Sequence, residues 1–543
     1  MEILVVTILI LIFLFSISAD KKKEVGEEYQ LPPEFWEEAK LMRKIIALLD
    51  EYDFMAADKL FFDNQNLSKD EYENYKKFCL KRYLDEQLEE KLGFSMDIEK
   101  ALALSKTDQN LLLSASAGSG KTSTLVYKAY FLIHKQNILP REIMILAFNR
   151  KAAREIKNRI EHEFALKSLE NIRTFHSFAY QIVKPKKRIL LNQELYVKKI
   201  IRRIIGKNAS PETIQVFTQF IQKAKKSRMS FEKIEEEIDN FEPQYFLKLA
   251  NRIYKEYSES LRKDNFLDFD DLLTEAIEMI KKTKGECKAR GTRLNDLKYL
   301  LIDEYQDFSK LFYDLIQAIR KYNPEIKLFC VGDSWQAING FAGSDLKYFN
   351  NFIEYFDNSG MAYLLTNYRS RKEIIDCSNQ FMLGESRNFN YQDNAGGEVV
   401  VRSVDGDNST NGYLKSCAEI VESNPNKSVA ILHRKNEINN ITLESFYKRL
   451  IRISNTRNRI MISTVHKFKG QEADVVIILQ ATKKLFPLIH PYNNLFKIFG
   501  QSNQDILDEE KRLFYVALTR AKEKLFILTE RGDGSEYEVS IWR

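Results

Sequence analysis

The chain has 543 residues, with 83 Lys and Arg against 77 Asp and Glu and a formal net charge of +6. At roughly 100–200 residues per domain this length suggests about three or four domains, and a hydrophobic share of 44% permits sizeable cores, which excludes a broadly disordered chain. So small a charge excess excludes a uniformly basic coat protein but leaves room for a local basic groove, and five scattered cysteines without a CxxC pair exclude a zinc ribbon, a redox motif and a disulfide framework.

Residues 3–19 are the first feature in chain order: seventeen residues (ILVVTILILIFLFSISA) without a charge. As a helix they reach roughly 25 Å, near the lower limit for crossing a bilayer. A transmembrane anchor fits best, and Lys21, Lys22 and Lys23 directly after it place the larger part of the chain in the cytoplasm by the positive-inside rule. A signal peptide is the alternative. Ser16-Ile17-Ser18-Ala19 passes as a cleavage site, but Glu2 is acidic where a signal peptide is positive. Residues 21–33 read as a linker. Up to residue 92, apolar positions such as Leu41, Ile45, Ile46 and Leu49 keep a helical spacing, which predicts short amphipathic helices of no readable function.

From Asn110 onward, short apolar runs alternate with helical stretches, the pattern of buried parallel strands covered by helices. One series is Leu111–Leu113, Ile143–Phe148, Tyr299–Ile302 and Leu328–Val331. A second is Tyr363–Leu365, Val399–Val401, Val429–Leu432, Ile460–Ser463, Val475–Leu479 and Leu525–Leu528. The fold class expected is α/β, with two parallel-sheet domains. Residues 93–180 and 268–361 form the first, interrupted by a strand-poor helical insertion over 181–267, and residues 362–543 form the second.

Chemistry is concentrated at the ends of these strands. Ala115-Ser116-Ala117-Gly118-Ser119-Gly120-Lys121-Thr122 follows a strand and opens a helix, which is the context of a P-loop. Its glycines let backbone N–H groups wrap phosphates, Lys121 reaches the β- and γ-phosphates, and Thr122 offers a hydroxyl to Mg²⁺. Asp303 and Glu304 end another apolar strand, where ligands sit in open α/β sheets. Asp303 would hold Mg²⁺ and Glu304 would polarise the attacking water. Alone, two acids after a strand also serve as helix caps; beside a P-loop they indicate ATP hydrolysis. Positive charge for the transition state would come from Arg369 and Arg520; by spacing alone a surface ion pair explains either equally well.

With these residues assembled, the chain resembles the UvrD/Rep-type superfamily 1 DNA helicases from about Phe94 to Thr529. The family's motifs stand in order: the P-loop; Leu146-Ala147-Phe148-Asn149-Arg150-Lys151; Thr174-Phe175-His176-Ser177; Asp303-Glu304-Tyr305-Gln306-Asp307; Val331-Gly332-Asp333-Ser334-Trp335-Gln336; Asn367-Tyr368-Arg369-Ser370; Thr464-Val465-His466-Lys467-Phe468-Lys469-Gly470; and Tyr515 through Thr519-Arg520-Ala521-Lys522. The resemblance implies two RecA-like domains with ATP and Mg²⁺ between them. It implies that Arg369 and Arg520 act on the γ-phosphate, that Gln336 senses it and couples it to DNA, that Tyr368 stacks on adenine, and that Glu472 lies near the ribose. It also implies that Phe148, Asn149, His176 and His466 line the single strand. Three positions depart from the pattern. No glutamine stands at the expected distance before the P-loop, where Lys100 falls. Where the family often carries Tyr and Trp after the coupling Gln, this chain has Asn339 and Phe341, so Phe341 is left as the stacking residue, and Trp335 is either a partial substitute or, equally, a buried core ring. The stretch from Ser370 to Thr464 has no room for the regulatory domain that larger members insert there.

Within the insertion, residues 184–207 hold nine Lys or Arg and one acid, Glu194. Lys198 with Arg202, and Lys199 with Arg203, are i,i+4 pairs on neighbouring helix faces. Lys223, Lys225, Lys226 and Arg228 add a second cluster. Both read as phosphate contacts at the junction of single-stranded and duplex DNA, because the family's insertion meets the duplex; a solvated helix face is the plainer reading. The whole is an expected DNA-dependent ATPase and 3′→5′ helicase tethered to a membrane. A tethered DNA-binding or assembly module that uses ATP as a switch is the rival, and Glu304 with the two arginines weighs against it.

Overall fold

The computed structural model describes residues 98–163, 169–206, 208–382, 396–404, 409–454, 459–489, 491–535 and 537, together with positions 41, 44–48 and 60. The expected anchor over residues 3–19 lies outside the described residues, as does nearly all of the region 21–92. Among the described residues no helix is long and apolar enough to cross a membrane. The chain divides into two units, residues 1–105 and residues 106–543. The helix Ile98–Ser105 closes the first, and both sheets lie in the second.

Two parallel sheets organise it. The first contains β1 (Asn110–Ala115), β2 (Ile143–Ala147), β3 (Ile172–Thr174), β4 (Tyr299–Ile302), β5 (Lys327–Gly332) and β6 (Ser359–Leu364). Their order is β6-β1-β5-β4-β2-β3, and every pairing is parallel. All residues of β1 and β2 are buried, which is what their unbroken apolar runs require of strands covered on both faces. Helices α1 (Lys121–His134), α2 (Arg150–Glu163) and α3 (Phe175–Val183) follow the first three strands. The short β3 lacks enough residues to show a pattern in sequence. β6 is a correction: its residues were expected to begin the second series, but Leu113 pairs with Ala362 and Ala115 with Leu364, so it is an edge of the first sheet. An edge strand half open to solvent carries no sequence signal of which sheet it joins.

The helical insertion consists of α4 (Gln193–Ile205), α5 (Pro211–Lys226), α6 (Phe231–Glu237) and α7 (Gln244–Lys263). Its two ends are drawn together where Arg188–Ile189 pairs with Phe266–Leu267. Asn192 and Ser210 cap α4 and α5 by accepting backbone N–H bonds, and Pro211 occupies the first turn of α5, so both starts are fixed locally. α4 buries Val197, Ile200 and Ile201 and turns its charged positions outward. The chain then re-enters the first domain through α8 (Phe269–Thr283) and α9 (Lys310–Tyr322).

The second sheet holds β7 (Glu398–Val404), β8 (Val429–His433), β9 (Ile460–Thr464), β10 (Ala473–Ile478) and β11 (Ala521–Glu530), in the order β7-β11-β10-β8-β9, again all parallel. Helix α10 (Asn503–Leu518) precedes β11. Between β10 and α10 the stretch Pro491–Phe499 leaves its own domain. Leu495, Phe496 and Ile498 are buried in the core of the helical insertion. The insertion therefore packs on residues of both domains.

Candidate active site and nucleic-acid track

The P-loop leaves the buried end of β1 and turns on Gly118 and Gly120, at φ +76° and +88°. Those conformations favour glycine, and Gly120 ends the turn as the N-cap of α1. Ser119 Oγ donates to the Ser116 carbonyl at 2.9 Å. Ala115, Ser116 and Ala117 are buried, so the loop offers its backbone rather than its side chains at the positive end of α1. Lys121 Nζ donates to the carbonyls of Ala115 and Ser116 at 3.3 and 3.2 Å and lies 3.6 Å from Asp333. Burial pulls its pKa below the usual lysine range, and Arg369 and Arg520 add to this against the opposing pull of Asp333 and Glu304.

Asp303 and Glu304 stand at the end of β4, two strands from β1. Burial first, and then the charge of Glu304, push the Asp303 carboxyl up to about 7. A buried acid raised in this way calls for a cation. With the Thr122 hydroxyl and phosphate oxygens it would make the oxygen donor set that Mg²⁺ takes in such sites, which rely on one or two carboxylates rather than a protein cage. Among the described residues no group of three or more His, Cys, Asp or Glu forms such a cage. Mg²⁺ held by Thr122 and Asp303 would neutralise charge on the phosphates. Glu304 sits at φ +53°, a costly conformation for a non-glycine, and Gln306 donates to its carboxylate. The position and orientation of Glu304 are thereby fixed.

Arg520 comes from the second domain and is fully buried. It donates to the carbonyls of Val516 and Gln471 at 2.9 and 3.4 Å and to Gln336 Oε1 at 3.1 Å. Gln336 in turn donates to Asp333 at 2.7 Å. Burial, and then the neighbouring Arg369, lower the Arg520 pKa to about 9. Arg369 lies in the segment that crosses between the domains. Asn367 donates to the Ala117 carbonyl at 2.7 Å and the Tyr368 N–H to the Gly118 carbonyl at 2.9 Å. Ser370 Oγ donates to the Ala521 carbonyl at 2.7 Å and the Arg371 N–H to the Lys522 carbonyl at 2.8 Å. Tyr368 is thus placed beside the P-loop. Glu472 pairs with Arg369 at 2.7 Å and with Lys522 at 2.6 Å, so in this arrangement it aims the arginine. Asp333, which sequence reasoning left without a role, joins Lys121 to Gln336; its signal was the same as that of Asp303, an acid ending an apolar strand.

The expected DNA residues separate into groups. Phe341 and His466 come together edge to face, with ring centroids 5.5 Å apart. His176 meets Phe269 at 5.2 Å, and the two line a polar cleft between the first domain and the insertion. Phe269, 37% exposed, was missed by sequence reasoning because an aromatic at the start of a helix reads as core. Burial first, with cationic neighbours, lowers the histidines to about 4 and about 3, so both rings are neutral near neutral pH. Phe148 is half-buried against Phe312. Asn149 accepts the Ala152 N–H at 2.9 Å and so caps α2.

Trp335 is a correction. It is 2% exposed, sits in the second domain's core and meets Tyr515 edge-on, which leaves no ring face for a base. Lys198, Lys199, Arg202 and Arg203 are exposed on α4, with Arg203 paired to Glu256 at 2.7 Å. The second basic cluster is also corrected. Lys223 donates to Gln501, Lys225 is buried between Asp268 and Asp271, Lys226 donates to the Ala342 carbonyl, and Arg228 pairs with Asp314. These cations fasten the insertion to its neighbours.

A phosphate loop, two strand-end acids and a buried arginine from a facing domain define a P-loop nucleoside-triphosphatase with a shared cleft. Residues 96–357 match the UvrD/REP helicase N-terminal domain and residues 440–532 the UvrD-like helicase C-terminal domain. DNA helicase IV of Escherichia coli K12 is 28% identical over 512 residues, covering 84% of this chain and 72% of that protein. The ATP-dependent DNA helicase PcrA of Staphylococcus epidermidis is 27% identical, over 65% of this chain and 50% of its own length. A probable DNA helicase of Mycoplasma pneumoniae is 24% identical, over 79% of this chain and 82% of its own. Both matched domains are those of UvrD-like helicases, in order along the chain, and they mark it as a DNA-dependent ATPase of the DNA-helicase kind.

Proposed function

We propose that the chain is an ATP-driven translocase that moves 3′→5′ along single-stranded DNA and unwinds the duplex ahead of it. The observation that carries this reading is the path from Arg520 through Gln336 to Phe341. A γ-phosphate between Lys121, Arg369 and Arg520 would hold the second domain's arginine against the first domain's Gln336, a contact already made here. The loop after Gln336 carries Phe341, which meets His466 of the second domain edge to face and with it offers a surface for stacking bases. Closing the cleft would therefore shift the DNA platform, and opening it after hydrolysis would return it. Glu304 orients the attacking water, and Lys121 with the arginines stabilises the transferring charge. The polarity is supported by the family resemblance. The apolar run over residues 3–19 supports a tether to the membrane with the catalytic domains on the cytoplasmic side.

Lys121→Ala is expected to abolish DNA-stimulated ATP turnover, and full turnover in that variant would refute the reading. For the tether, membrane fractionation of the chain with and without residues 1–20 is expected to show association lost and ATPase kept. Equal association of the two would refute the tether alone.

A further inference from the structure

The loop after Gln336 is held from two sides. Glu509 on α10, in the second domain, accepts the backbone N–H of Gly340 at 2.9 Å and that of Phe341 at 3.4 Å. A Cβ on Gly340 would lie 2.3 Å from Glu509 Oε2, so the absence of a side chain there is what lets the carboxylate reach the backbone. From the other side Lys226, at the end of insertion helix α5, donates Nζ to the Ala342 carbonyl at 2.7 Å. Its stem lies 2.9 Å from where a Cβ on Gly343 would stand, and Gly343 has φ +93°. Just after the loop, Ser344 Oγ donates to the Asp307 carbonyl at 3.0 Å, and the Asp307 carboxylate pairs with Lys469 at 2.7 Å. Residues 339–343 are thus fixed by the insertion and by both domains, and Phe341 is presented to His466.

We propose that Glu509 and Lys226 are positioning residues that fix this loop and so set the affinity of the Phe341–His466 platform for single-stranded DNA. This rests on the reading above that the platform lies on the DNA track. Both act through Phe341, by their bonds to the backbone of its loop. Asn339 and Phe341 stand where larger aromatic residues would make a broader platform, so a smaller surface depends more on being held still. A loop released from either clamp must be ordered again each time a strand binds, and the cost appears as weaker binding.

The test uses the full chain and oligo(dT). ATP turnover is titrated with oligo(dT), and binding of a fluorescent oligo(dT) is followed by anisotropy. Glu509→Ala and Lys226→Met are each expected to raise the DNA concentration for half-maximal stimulation by about tenfold, the worth of one charge-assisted hydrogen bond, while turnover at saturating DNA is largely kept. Glu509→Gln retains an acceptor for both N–H groups and is expected to restore most of the affinity, which a merely structural role would not predict. Wild-type affinity in both variants, with the wild type DNA-stimulated, would overturn this inference and leave the translocase reading standing. A wild type that oligo(dT) neither binds nor stimulates would overturn both. Should Glu509→Ala fail to fold, Lys226→Met decides by the same criterion.

Discussion

Gly118→Ala probes the contact on which the shared cleft depends. The backbone of Gly118 is at φ +76°, and an added Cβ would lie 2.6 Å from Asn367 Oδ1 and 2.8 Å from the Arg369 Cβ. A left-handed conformation costs a non-glycine residue about 1–2 kcal/mol, and overpacking costs about 1–3 kcal/mol. Together about 2–5 kcal/mol would fall on the closed arrangement of P-loop and crossing segment. At about 1.4 kcal/mol per factor of ten, turnover at saturating ATP and DNA should drop roughly 30-fold to several-thousand-fold. The strain is relieved when residues 367–369 draw back, so the sheet cores are spared and the melting temperature should fall far less than such a loss inside a core would cause. The assay is steady-state ATPase with thermal unfolding as the control. Wild-type turnover with an unchanged melting temperature would refute the close approach of Arg369 to the P-loop.

Trp335→Ala should cost about 3–5 kcal/mol of stability, as for a core aromatic, and leave the oligo(dT) affinity of the folded protein unchanged. Phe341→Ala should do the reverse and weaken binding by about 1–3 kcal/mol; a swap of these two outcomes would contradict the placement of both rings. Replacing Lys198, Lys199 and Arg202 together with alanine should make the salt dependence of binding to a tailed duplex shallower by about two to three units of slope, and an unchanged slope would remove α4 from the DNA face. Lys128, buried in α1, donates to the Lys106 carbonyl at 2.7 Å, and burial lowers its pKa from 10.5 to about 7. Between those values the unfolded chain holds a proton that the folded chain has released, so this group makes stability rise with pH across that window. Lys128→Met should flatten the rise by up to one proton, seen in denaturant unfolding at several pH values; parallel curves would contradict it.

Much of the catalytic centre is legible in sequence because its chemistry needs fixed residue types at strand ends. The P-loop, Asp303 and Glu304 each follow a buried apolar run, and the structure places them at the ends of β1 and β4. What the sequence conceals is partnership. Lys223, Lys225 and Lys226 look like a phosphate-binding stripe because only their charge is visible in one dimension. Their carboxylate, amide and carbonyl partners lie 43 to 278 positions away in the chain. Trp335 misleads for a related reason: a ring in a DNA-contacting motif is ambiguous until Tyr515 is seen against it. The stretch Pro491–Phe499 belongs to neither strand series, yet its apolar residues complete the insertion's core. No local pattern announces a segment that packs in another domain.

As proposed, the cleft drives unwinding of duplex DNA in one direction along the strand it holds. Strand displacement from duplexes with a 3′ or a 5′ single-stranded tail, with ATP and Mg²⁺, tests it directly, with Lys121→Ala as the blank. The expected result is displacement of the 3′-tailed substrate alone, dependent on ATP and absent in the variant. Rapid ATP turnover with no displacement of either substrate, or displacement of the 5′-tailed one alone, would contradict it.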